Sequence, residues 1–212
     1  GLWPGRAAIE QQETALTACE ADIRAILNSR QRYAAVGECG IDRYWNHAGA
    51  VGAGTSDLAG EEQLFKAQLE LAKRYGLAVI IHSRDGFEAT LRCIDEVGWH
   101  RGVIHCFSYG RKEAEAFLER GWCLSFPGTI TYRADAATEK EIADLVRMIP
   151  AAKLLLETDA PYLSPEPVKR EVNTPLHIRY TYQRASEYRQ SSIESLCTLV
   201  YQNCCRLFSI RA

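Results

Sequence analysis

Short apolar runs alternate with segments of helical period along most of this chain. Each apolar run is followed by a stretch in which apolar residues recur every three or four positions. Strands that alternate with helices in this way form βαβ units and a parallel sheet. Because such crossovers are right-handed, two architectures follow: an open doubly wound sheet or a (β/α)8 barrel of the TIM type.

Five strands and seven helices are predicted within one domain that covers residues 1–212. The strands lie at 34–38, 77–82, 102–107, 122–126 and 153–159, and the helices at 9–28, 61–76, 86–98, 111–121, 137–149, around 178–187 and at 193–210. Residues 46–60 are rich in glycine and predict a mobile surface loop, and residues 1–4 resemble the tail of a sixth strand. A closed barrel needs eight strands, so the expected sheet is open or continues before Gly1.

The composition is that of an ordinary soluble globular protein, with 47% hydrophobic and 25% charged residues. A formal net charge of −2 carries no electrostatic signature of a nucleic-acid binder. No stretch is apolar enough to span a bilayer, and the start has no signal-peptide pattern. The eight cysteines lack a CxxC spacing, which favours thiols in a reducing cytosol over a disulfide framework. We therefore expect a cytoplasmic protein.

In four of the five predicted strands, the apolar run ends in a side chain that can bind a metal ion. These residues are Glu38, His82, His105 and Asp159. Parallel strands direct their carboxyl ends to one face, where α/β folds place their active sites. Each residue alone is compatible with a structural role. Two imidazoles and two carboxylates together predict a site for zinc, manganese or a similar divalent ion.

Five motifs in order resemble the successive signatures of the TatD family of metal-dependent deoxyribonucleases, which are amidohydrolase-like TIM-barrel hydrolases. The motifs are GECGIDRYW, VIIHSRDGFEATL, GVIHCFSYG, LSFPGTITY and ETDAPYLSP, followed by the closing segments NTPLHI and VYQNCCRLFSI. The resemblance implies that Glu38 bridges two divalent metal ions, and that His82 and His105 ligate the second of them. It also implies that Asp159 ligates the first ion and activates the attacking water, with Glu157 as its supporting partner.

The activity implied by the resemblance is hydrolysis of DNA phosphodiester bonds with zinc, magnesium or manganese. A narrow barrel mouth favours short or single-stranded DNA ends as the substrate. Arg84 and Arg170 are candidates for contacting substrate phosphate, since guanidinium geometry suits that role. Two alternatives stay open: another amidohydrolase-like metal hydrolase, and a catalytically impaired remnant that acts as a binding protein.

The chain departs from the family pattern near its start. The family opens with a strand that bears His-x-His, and no His-x-His occurs here. Trp3 stands where the family has the histidine of a Gly-x-His-Pro element, and Glu62 stands where it usually has glutamine. These departures imply that about two strands are missing before Gly1. If nothing replaces them, half of the metal site remains and is expected to hold one ion instead of the family's two. We also expect self-association to cover the open sheet edge.

Overall fold

The computed structural model describes residues 1–27 and 33–210. The described residues fall into two compact units, which divide between Ile104 and His105. Within the described residues, five strands lie in chain order in one sheet, β1-β2-β3-β4-β5. The strands are β1 (Ala35–Asp42), β2 (Ala78–Arg84), β3 (Gly102–His105), β4 (Cys123–Phe126) and β5 (Leu154–Leu156). The helices are α1 (Arg6–Glu10), α2 (Gln12–Leu27), α3 (Leu58–Tyr75), α4 (Phe87–Val97), α5 (Arg111–Glu119), α6 (Ala136–Met148), α7 (Ile178–Arg189) and α8 (Ile193–Phe208).

In the first unit, β1 and β2 pair in parallel around a β-bulge. Val36 lies opposite Val79 and Cys39 opposite Ile81, so β1 carries one extra residue at positions 37 and 38. A Cβ on Gly37 would lie 2.6 Å from the Cβ of Ile80, so only glycine allows this close approach.

The core of the first unit forms between this strand pair and helix α3. Its fully buried side chains include Ile41, Leu64, Phe65, Leu69 and Ile81. Helix α3 begins with Asp57, whose side chain accepts a hydrogen bond from the Gly60 N–H, and ends at Gly76 with a φ of 63°. The prediction of Gly76 as a C-cap is therefore confirmed.

In the second unit, β4 and β5 pair in parallel, with Leu124 opposite Leu154 and Phe126 opposite Leu156. The Glu157 N–H donates to the Phe126 carbonyl at 3.1 Å, which continues the pairing just past β5. The buried aromatic rings of Phe107 and Phe126 pack edge to face with centroids 5.9 Å apart. This packing places the turn after β3 beside the carboxyl ends of β4 and β5.

Several predicted boundaries were wrong. The strand predicted to end at Glu38 continues to Asp42, and the strand predicted to end at His82 continues to Arg84. The last strand ends at Leu156, three residues before Asp159. Residues 1–4 form no strand, and position 28 of the first predicted helix lies outside the described residues.

The glycine-rich segment 46–60 is anchored at both ends. Asn46 and Thr55 are buried, and the Thr55 N–H donates to the Asn46 side-chain oxygen at 2.9 Å. Residues 47–53 and 56–59 are exposed or half-buried, so most of the segment lies at the surface, and its mobility stays a prediction.

Candidate metal centre

Glu38 and His82 meet at the bulge in the first unit. The bulge places Glu38 beside β2, where its Oε1 lies 2.8 Å from Nδ1 of His82. Glu38 is partly exposed, with 38% of its side chain accessible, whereas the His82 side chain is 18% accessible. A carboxylate and an imidazole nitrogen are therefore in contact at a position that solvent or a small ligand can reach.

The other ring nitrogen of His82 contacts a carboxylate that the sequence analysis missed. Nε2 lies 2.7 Å from Oδ2 of Asp42, whose side chain is only 1% accessible. Burial lowers the pKa of His82, but the hydrogen bonds with Asp42 and Glu38 outweigh it and raise the pKa to about 9. At neutral pH the His82 imidazolium therefore donates Nε2–H to Asp42 and Nδ1–H to Glu38, and Nδ1 would release its proton on binding a metal ion.

Asp42 is itself held by the turn that follows β1. Its Oδ1 accepts the Trp45 N–H at 3.0 Å, and its backbone N–H donates to Oε1 of Glu61 at 2.8 Å. Glu61 is fully buried on α3 and also accepts the Asn46 side-chain amide at 2.7 Å. The carboxylate that orients His82 is thus fixed from helix α3 as well as from β1.

Trp3 lies beside His82. Their ring centroids are 6.3 Å apart and their planes make an angle of 68°, which is an edge-to-face contact. The residue that replaces the histidine of the family's Gly-x-His-Pro element is therefore in contact with one of the predicted ligands.

In the second unit, His105 ends β3 and contacts two carboxylates. Nδ1 lies 2.9 Å from Oε2 of Glu157, and Nε2 lies 3.4 Å from Oδ1 of Asp159. The other oxygen of Glu157 accepts the Cys106 N–H, so Glu157 is itself fixed. Glu157 thus contacts His105 rather than Asp159, and its supporting role stays a prediction. Both acids lie beyond the end of β5, and Asp159 has a φ of 56° in the turn that follows.

His105, Asp159 and Cys106 form a group that can hold a metal ion. One ligand atom from each of the three lies within 4.8 Å of the others. Cys106 was not predicted, although its place directly after His105 and the GVIHC sequence were available as a signal. A thiolate in this group would favour zinc over harder ions.

The two units repeat one arrangement. Each histidine has one nitrogen on a fixed carboxylate, Asp42 or Glu157, and the other beside a predicted ligand carboxylate, Glu38 or Asp159. Metal-binding histidines typically donate their second N–H to a carboxylate in this way. With metal–ligand bonds of about 2.0–2.2 Å, two atoms on one ion lie roughly 3–3.5 Å apart. The 3.4 Å separation between His105 and Asp159 lies in that range, so this donor set fits a divalent ion. The 2.8 Å separation between His82 and Glu38 is that of a hydrogen bond and would widen around an ion.

The remaining predicted residues lie on the surface. Arg84 is exposed at the end of β2, with its guanidinium carbon 3.7 Å from the centre of the Tyr44 ring. Arg170 is exposed in the loop after β5. Of the other histidines, His47 and His100 are exposed.

Comparison with known proteins assigns the chain to a family. The family model described as TatD related DNase matches residues 1–209. The uncharacterized metal-dependent hydrolase YabD of Bacillus subtilis is 31% identical over 87% of this chain and 68% of its own length. A protein named 3'-5' ssDNA/RNA exonuclease TatD in Citrobacter rodentium is 32% identical over 83% of this chain and 65% of its own.

Solved structures agree with that assignment. The crystal structure of YJJV, a TatD homologue from Escherichia coli, superposes with a TM-score of 0.78 at 28% identity, over 94% of this chain and 71% of the other. An uncharacterized amidohydrolase from Saccharomyces cerevisiae has a TM-score of 0.73 at 15% identity, which supports the fold alone. The fold is that of a partial TIM-type barrel, as predicted.

This chain belongs to the TatD related DNase family. It is a metal-dependent hydrolase of the class that acts on ester bonds, and it spans about two thirds of the length of the curated relatives it matches. Among the described residues, no helix has the length and apolar character needed to cross a membrane. The predictions of a single domain, a cytoplasmic location and self-association stay predictions.

Proposed function

We propose that this chain hydrolyses phosphodiester bonds of DNA at short or single-stranded ends, and that Glu38, His82, His105 and Asp159 ligate its divalent metal. Membership in the family supports metal-dependent hydrolysis, and relatives named as exonucleases acting on single-stranded DNA and RNA support this substrate class. The observation that carries the proposal is the repeated pairing of an oriented histidine with a ligand carboxylate, Glu38 with His82 and Asp159 with His105.

The residues of the chain have distinct roles in this proposal. A bound divalent ion supplies Lewis-acid activation of water and of the phosphate oxygens. Asp159, with 26% of its side chain accessible, takes the proton of the attacking water. Asp42 and Glu157 each contact one ring nitrogen, of His82 and of His105, so the other nitrogen is the one that would lose its proton and bind the ion.

The test uses protein purified without chelator and supplemented with zinc or manganese. We expect hydrolysis of bis(p-nitrophenyl) phosphate and of single-stranded oligodeoxynucleotides, with Asp159→Asn reducing the rate by roughly 10²- to 10⁴-fold. Glu171→Gln is the matched control, because Glu171 is exposed in the same loop and should keep full activity.

Two outcomes would contradict the proposal. Metal-loaded protein that cleaves a phosphate monoester, an amide or a lactone but leaves DNA and the diester intact would indicate another hydrolase of the amidohydrolase-like group. Folded protein that retains no divalent metal would indicate a catalytically impaired binding protein.

A further inference from the structure

Two adjacent aromatic side chains are exposed on the turn after β1. Tyr44 is 51% and Trp45 is 48% accessible, and both belong to the first unit. Their ring centroids are 5.3 Å apart with planes at 87°. Large aromatic side chains are usually more buried than this, and exposed ones grouped at one place typically mark a binding surface.

The turn beneath these rings is rigid. The Trp45 N–H donates to Asp42 Oδ1 at 3.0 Å, and the Asn46 N–H donates to the Asp42 carbonyl at 2.9 Å. The Asn46 side chain is completely buried and donates to the Pro4 carbonyl at 2.6 Å. On the other side, a Cβ on Gly54 would lie 2.0 Å from the Trp45 carbonyl oxygen. Rigidly held aromatic rings bind with a small loss of conformational entropy.

Arg84 completes this aromatic platform, which we define as Tyr44, Trp45 and Arg84. Its guanidinium carbon lies 3.7 Å from the Tyr44 ring centroid, and its carbonyl accepts the Arg43 N–H at 2.8 Å. A guanidinium stacked on an aromatic face keeps its N–H groups in the ring-parallel plane, where they can bond a phosphate.

The platform adjoins the predicted metal ligands of its own unit. Asp42 contacts His82 through one carboxylate oxygen and the Trp45 backbone through the other. Arg84 follows His82 by two residues on β2. The platform is therefore connected to His82 in two ways, through the Asp42 side chain and along β2.

We propose that the aromatic platform binds an unpaired nucleobase of a single-stranded nucleic acid by stacking on Trp45, while Arg84, which lies on the Tyr44 ring, bonds the adjoining phosphate. This inference rests on the proposed function and names how that substrate is recognised. Stacking on aromatic side chains is the usual means of binding single strands without sequence preference, since every base has a π-face. A duplex keeps its bases stacked inside and cannot use such a surface.

The charge of this chain favours binding through bases over binding through the phosphate backbone. The formal net charge is −2, so a long-range attraction to the phosphate backbone is weak. Affinity must then come from contacts that bases make. Removing the bases from a single-stranded oligomer should therefore weaken its binding to the protein more than raising the salt concentration does.

The experiment compares two single-stranded ligands that share one hydrolysis-resistant phosphorothioate backbone: an oligothymidylate and an abasic oligomer of equal length. Binding to the protein as purified is measured by fluorescence anisotropy. Wild type should bind the oligothymidylate roughly 5- to 150-fold more tightly than the abasic oligomer. Trp45→Ala should remove most of this preference, and Trp45→Phe should restore much of it.

Tyr201→Ala is the matched control, because Tyr201 is a 54% accessible aromatic residue on α8 in the other unit. Equal affinity of wild type for both oligomers, or an unchanged preference in Trp45→Ala, would overturn the inference.

The readout is independent of catalysis. If the protein hydrolyses no phosphodiester but the base preference disappears in Trp45→Ala, the inference holds and the proposed function fails. If it hydrolyses bis(p-nitrophenyl) phosphate and binds both oligomers equally, the reverse is true.

Discussion

Replacing Glu61 by alanine should destabilise the first unit more than any comparable change of a surface acid. Glu61 is 0% accessible, and Oε1 accepts two hydrogen bonds, from the Asp42 N–H at 2.8 Å and from the Asn46 amide at 2.7 Å. Its Oε2 lies 3.0 Å from Nη1 of Arg43, in an ion pair whose geometry is not that of a hydrogen bond. Glu61 therefore links helix α3 to the turn that carries Asp42.

The expected loss of stability depends on which hydrogen bonds and ion pairs the partners of Glu61 keep in the variant. In Glu61→Ala the Asp42 N–H loses its acceptor, which costs about 1–3 kcal/mol. Asn46 still donates to the Pro4 carbonyl, and Arg43 still pairs with Glu62 at 2.9 Å. Breaking a buried ion pair by removing one partner typically costs about 3–5 kcal/mol in total. We expect a loss in that range, against a typical domain stability of about 5–15 kcal/mol.

Urea unfolding followed by circular dichroism measures this loss. Glu96→Ala is the control, since Glu96 is 50% accessible in an ion pair with Lys66 and should contribute at most about 1 kcal/mol. A free energy of unfolding for Glu61→Ala within about 1 kcal/mol of wild type would refute the argument that this carboxylate anchors the turn.

Three further predictions concern the surroundings of the site. Gly40→Ala should lower the free energy of unfolding in urea by about 3 kcal/mol or more, because the new Cβ would lie 1.9 Å from the His82 carbonyl oxygen. Gly49→Ala is the control: its Cβ would meet nothing within 4 Å, so the loss should be about 1–2 kcal/mol. Glu157→Gln should weaken zinc binding by about 10- to 100-fold in calorimetry, and an unchanged affinity would contradict its role in orienting His105. Burial raises the pKa of Glu61 above 4.5, so the folded state holds the proton of Glu61 to a higher pH than the unfolded state does. The free energy of unfolding of wild type, relative to that of Glu61→Gln, should therefore fall as the pH rises from 4.5 through the raised pKa. A difference in unfolding free energy that does not change with pH would contradict this.

The order and type of the elements could be read from the sequence because their signals are local. Alternating apolar runs and helical periods identified all five strands, and Gly76 after the charged end of α3 identified a helix terminus. Residues 9–28 were predicted as one helix, but the structure divides this segment into α1 and α2 at Gln11. Both pieces have helical periodicity, so the periodicity alone did not show the break.

The ends of the strands were less predictable because they depend on partners far along the chain. Glu38 was predicted to end a strand, yet β1 passes through a bulge at this position, where Gly37 closely approaches Ile80 on β2. Asp42 was not predicted as part of the site, because an acid after an apolar run is normally solvated. It is buried here because its carboxylate bonds the His82 ring and the Trp45 N–H, while its backbone N–H donates to Glu61.

The most direct test of the account is the divalent metal content of the purified protein. We predict that wild type and the control His100→Ala, which changes an exposed histidine, retain at least about one ion per chain, and that the double variant His82→Ala with His105→Ala loses it. Wild-type protein that binds neither zinc nor manganese when these are added, or a double variant that keeps the same metal content, would contradict the central claim.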